Sequence, residues 1–136
     1  MSVRTLATGL AANRVWFGTG FLVAPERSSR GWISIDAATG GARVMTRATG
    51  ARDIVLGLGA LRALRSGADA RPWFAAQLVS DAADFLATWA ERRELPPLSV
   101  AFALTMAGGS TAVAAAYLVS GGDGPERPAT EGPAPR

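Results

Sequence analysis

The chain has no cysteine and no histidine. Disulfides, thiol nucleophiles, Cys/His zinc sites, Ser-His-Asp triads and imidazole pH switches are therefore excluded. Lysine is missing too: all fourteen basic residues are arginine, set against eleven acids for a net charge of +3. In a chain this rich in Ala and Gly, that choice matches a GC-rich bacterial coding sequence. Charge is scarce as well, at 18% of residues against roughly 25% in an average soluble domain. The isoelectric point near 10.9 does not point to nucleic acid. That function needs basic residues gathered on one face among base-reading or aromatic groups, and here they are scattered through loops or isolated in apolar runs. No nucleic-acid partner is expected.

What is abundant is apolar residues, 49% of 136, a length that fits one domain. They fall into four stretches that predict helices over about 5–24, 48–65, 73–90 and 98–120. Each is close to the roughly 20 residues that cross a ~30 Å hydrocarbon layer. The links "RSGADARP" and "ERRELPP" suit tight helical hairpins. Pro72 and Pro97 fit first helical turns. The expected fold is all-α: a four-helix transmembrane bundle with antiparallel up-down connections over 1–120, in the cell membrane as a multi-pass protein. Residues 121–136 hold four Gly and four Pro and read as a disordered tail. The link over 25–47 is longer, and its Trp32 and Ile35 would dip into the interface or cover the bundle mouth. Trp73 and Trp89 would sit at the two headgroup boundaries. A cleavable signal peptide is not expected, because Asn13 and Arg14 interrupt its apolar region. Arginines near the helix ends divide six against six, so no orientation follows from them.

Five ionisable residues interrupt the apolar runs: Arg14, Arg52, Asp53, Asp81 and Asp84. Each would cost roughly 2.5–3.5 kcal/mol at a bilayer centre if left unpaired, so they must face inward and find one another. Spacing supports this. Gln77, Ser80, Asp81, Asp84 and Thr88 share one helical stripe, leaving Phe74, Leu78, Phe85, Leu86 and Trp89 mostly elsewhere. Antiparallel depth then pairs Arg14 with Asp81 and Arg52 with Asp84. Adjacent helical residues diverge by about 100°, which leaves Asp53 to Arg47, Asn13 or water. Gly50, Gly57 and Gly59 would let neighbouring helices approach. Two small-residue rows on the fourth helix, Ala101-Thr105-Gly109 and Gly108-Ala112-Ala116, would do the same.

The glycines of "GTGFLVAP" and "GLGAL" are not in strand-to-helix turns, so no dinucleotide or phosphate site is read from them. No cofactor or metal site is indicated. Asp81 and Asp84 are unaccompanied by the platform or ligand set of a two-carboxylate hydrolase. "NRVWFGTGFLVAP", "TGARDIVLGLGAL" and "SDAADFL" together resemble a family of small bacterial four-helix integral-membrane proteins of unknown function. That resemblance marks Arg14 with Gly18, a Gly-Ala-Arg-Asp box at Gly50 to Asp53, and Asp81 with Asp84. It implies a membrane protein with no assigned activity or cofactor. Three readings stay open: a non-enzymatic accessory or self-associating membrane subunit with an internal charge lock; a small transporter or ligand- or proton-binding membrane protein using Asp81 and Asp84; and a soluble helical domain. The partners expected are the bilayer and either a second copy or another membrane protein.

Overall fold

The structure, a computed structural model, describes residues 2–33 and 38–121. Ile35 and the sequence after Gly121, read above as a disordered tail, lie outside them. Five α-helices follow one another: α1 Val3–Val23, α2 Pro25–Ile33, α3 Gly40–Ser66, α4 Arg71–Ala90 and α5 Pro97–Val119. There is no strand among the described residues.

Local chemistry sets the helix ends. The Ser2 hydroxyl accepts from the Thr5 amide and the Thr39 hydroxyl from the Ala42 amide, capping α1 and α3. Gly67, at φ +70°, ends α3 in the left-handed conformation that glycine adopts without penalty. Replacing Thr39 with alanine should cost about 1 kcal/mol, read as a lower unfolding midpoint with the fold retained.

Two boundaries differ from the sequence reading. The helix expected from 48, or from 42 if extended back through "ARVMTR", begins at Gly40, because the Thr39 cap starts it upstream of the apolar stretch. Part of the expected long link is α2, with Glu26 in its first turn and Arg30 in its last, both favourable to the helix dipole. Hydropathy also departs from the expectation of four spans. Among the described residues only α5 is long and apolar enough to cross a membrane, with a mean hydropathy of 1.5. Internal Arg, Asp, Asn, Gln and Thr lower the mean of α1, α3 and α4.

α1 and α3 run antiparallel at very close range. A Cβ on Gly18 would lie 2.6 Å from the Gly50 carbonyl oxygen, one on Gly50 2.6 Å from the Gly18 oxygen, and one on Gly57 2.6 Å from the Ala11 oxygen. The buried positions repeat in steps of four and three: Ala7, Ala11, Arg14 and Gly18 on α1; Thr46, Gly50, Asp53, Gly57 and Ala60 on α3. This is the narrow seam of coiled-coil packing, filled with small residues. α4 continues the pattern with Phe74, Gln77, Asp81 and Thr88 and packs antiparallel on α5. Gly59 receives the Trp73 ring, so Trp73 is half-buried in the α3–α4 junction. Trp89 is the exposed one, with the Arg92 guanidinium 4.3 Å above its ring. Gly108 and Gly109, expected as packing glycines, have no neighbour within 4 Å of the point where a Cβ would stand. Their side of α5 faces outward, away from the seam.

The apolar core occupies one end of the bundle, where Phe74 and Tyr117 pack at 4.3 Å between ring centroids among Ala7, Ala60, Ala63, Leu64 and Ala114. Larger apolar side chains lie outside: Trp16 is 77% exposed, Val55 60%, Val79 67% and Leu98 82%. Charges take the opposite position, since Arg14 and Asp81 keep only 6% and 4% of their surface.

Candidate functional site

All five charges meet at the middle of the bundle. The α1 and α3 seams place Arg14 opposite Asp53, and the α4 seam brings Asp81 and Asp84 one turn apart against them. Arg14 divides its guanidinium between two helices. Nη1 donates to Asp53 Oδ1 at 2.9 Å and Nη2 pairs with Asp81 Oδ1. Arg52 makes a forked contact with Asp84, at 2.7 and 3.1 Å. It also reaches Asp53 Oδ1 at 3.2 Å. The result is a ladder of alternating sign: Asp81, Arg14, Asp53, Arg52, Asp84.

Depth along antiparallel helices suggests the Arg14–Asp81 and Arg52–Asp84 pairs, and both occur. Asp53 departs from that reasoning. Its partners are Arg14 and Arg52, while Arg47 turns its Nε to the Leu22 carbonyl and Asn13 is exposed. The 100° divergence between neighbours on α3 is bridged by the length of the Arg52 side chain, whose planar fork contacts Asp53 and Asp84 together.

The supporting polar residues divide. Gln77, fully buried, donates to the Leu56 carbonyl at 3.3 Å. Thr88 accepts from the Trp32 indole at 3.3 Å, which ties α2 to α4. The Ser80 hydroxyl is buried without a hydrogen-bond partner, as are Arg14 Nε and Gln77 Oε1. Gly18, Gly50 and Gly57 act at one remove, through the close α1–α3 approach that brings Arg14 to Asp53.

Ser110 is a site residue that the sequence reading does not reach. Its hydroxyl donates to Asp81 Oδ2 at 2.7 Å, so Asp81 is held by an ion pair on one oxygen and a hydroxyl on the other. The available signal is a hydroxyl on an otherwise apolar helix, in "GGST". Replacing Ser110 with alanine should cost about 1.5 kcal/mol, in line with loss of a hydrogen bond to a charged group, measured as a shift in the unfolding midpoint.

Beside the ladder lies a cavity of about 150 Å³ lined by residues of all five helices. Arg14, Asp53, Asp81, Asp84 and Ser110 form its polar wall; Phe17, Phe21, Trp32, Phe102 and Met106 supply the apolar side. With all three carboxyls ionised, the ladder carries one negative charge more than its two guanidinium groups balance. Among the described residues no group of three or more acids is placed to hold a metal ion.

No family model, curated protein or solved structure matches the chain.

Proposed function

We propose that the chain is a small multi-pass integral-membrane protein of the cell membrane, non-enzymatic, in which the Arg/Asp ladder locks four long helices together. The observation that carries this reading is the inverted polarity of the bundle. In water, burying each large apolar side chain would stabilise the fold by about 1.5–3 kcal/mol, yet Trp16, Val55 and Val79 face out while Arg14, Asp53 and Asp81 are buried. A hydrocarbon surround removes the drive to bury apolar side chains and turns charges inward.

The placement of the other charges agrees. Arg43 and Arg47 stand at one end of α3, Arg62 and Arg65 at the other. Arg4 and Arg71 join the second band; Arg27, Arg30, Arg92 and Arg93 join the first. Between these bands the long helices carry only the ladder. The span from Arg47 to Arg62 is about 22 Å of helix, short of the ~30 Å core, and arginine side chains extending outward make up the difference. In this reading the partner is lipid. The outward small-residue side of α5 is where a second copy or another membrane protein would meet the bundle, as an accessory or self-associating subunit does.

A second reading is favoured by one specific observation: Asp81 and Asp84 line the same cavity. That is the position of a ligand- or proton-binding site in a small transporter or binding protein.

Alkaline carbonate extraction of membranes from cells expressing the full chain tests the first reading. Retention in the pellet is expected. Release into the supernatant would overturn it and leave a soluble helical domain.

A further inference from the structure

We infer that the cavity beside the ladder binds a small organic monocation, a protonated amine carried on an apolar body about the size of one benzene ring. The inference rests on the second reading above and gives it a ligand class.

Charge comes first. The ladder begins and ends on carboxylates, and those terminal members, Asp81 and Asp84, both line the cavity. With two guanidinium groups against three carboxylates, one positive charge placed there brings the ladder to neutrality. An anion would add to the excess, and a neutral ligand would leave it unbalanced.

Shape and lining come next. A cavity near 150 Å³ is about the size that accepts a single benzene ring. Phe17, Phe21, Trp32 and Phe102 line it together with the acids. Aromatic faces attract a cation and also accept an apolar body. The carboxylates and the rings of the lining thus suit the two halves of an amphipathic amine.

The third observation concerns Arg14. It lines the cavity and is more than nine-tenths buried. Its Nε is a donor without a partner. Both of its terminal nitrogens are held by the ladder and its Nε is closed off from solvent, so a ligand in the cavity meets the carboxylates of Asp81 and Asp84 rather than a free guanidinium donor.

The test is isothermal titration of the full chain in detergent micelles, with protein-free micelles subtracted. The probes are 2-phenylethylamine as the cation, 2-phenylethanol as its neutral counterpart and phenylacetate as an anion. The amine is expected to bind at least tenfold more tightly than the alcohol, and phenylacetate not to bind. Asp84→Asn removes the excess charge and should weaken the amine at least tenfold. Ala107→Leu fills the cavity without touching a charge and should abolish binding; it decides the matter if Asp84→Asn does not fold.

Equal affinity for amine and alcohol, lost in Ala107→Leu, would overturn the cation inference while leaving a ligand site standing. Binding of none of the three probes, or amine binding unchanged in Ala107→Leu, would remove both.

Discussion

Arg14→Met is expected to destabilise the protein by about 3–5 kcal/mol, the range for breaking a buried ion pair by removing one partner. The size follows from what is left behind. Asp53 keeps Arg52, but Asp81 keeps only the Ser110 hydroxyl, so a carboxylate stays buried with no cation against it. Adding Asp81→Leu removes that stranded group. The double variant should recover most of the loss, because replacing a buried pair by apolar residues of similar volume is often close to neutral. Thermal unfolding followed by circular dichroism in detergent reads both variants, and their difference gives the coupling of the pair. A single variant within about 1 kcal/mol of the parent would show that the ladder does not hold the helices.

Gly50→Leu should come next in size, at about 3 kcal/mol, the upper part of the usual range for overpacking. At Gly50 a Cβ would lie 2.6 Å from the Gly18 carbonyl oxygen and 2.8 Å from the Phe21 Cβ. The first neighbour is backbone and cannot rotate aside, so α1 and α3 must separate. Separation would also lengthen Arg14–Asp53, so part of the loss is electrostatic. Gly109→Ala is the matched control. Nothing lies within 4 Å of the added methyl, and alanine in a helix interior gains up to about 1 kcal/mol over glycine. Opposite signs at Gly50 and Gly109, read as midpoints in the same detergent, would locate the close helix contact on α3. Loss of stability at both would contradict that location.

The ladder was legible in the sequence because its cost is so large. Five charges inside apolar runs have few places to go, and the alternating four- and three-residue steps of Gln77, Asp81, Asp84 and Thr88 put them on one side of a helix. Depth along antiparallel neighbours then suggests two of the pairs. The double pairing of Asp53 was not legible, since it depends on how far two arginine side chains bend rather than on where their Cα atoms sit. α2 was hidden for a different reason: Pro25 to Ile33 has no long apolar run, and its helix is set by end charges and by contacts such as Trp32 with Thr88.

The glycines of α5 show the limit of small-residue spacing. Gly18 and Gly50 lie in the seam and Gly108 and Gly109 lie outside it, yet all four stand within three residues of a threonine. Which side of a helix is inward is decided by its neighbours. The cavity was likewise out of reach, because its walls come from all five helices and Ser110 enters only once α5 is docked on α4.

The most direct test of the inverted bundle is the surroundings of Val79, midway along α4 on its outer side. The chain has no cysteine, so Val79→Cys gives a single position for a nitroxide spin label. In lipid vesicles the label is expected to be relaxed by oxygen and shielded from a water-soluble nickel complex, in contrast to a label at Glu94→Cys beyond the helix end. Nickel relaxation at Val79 as strong as at Glu94 would place that side of α4 in water and contradict the membrane reading.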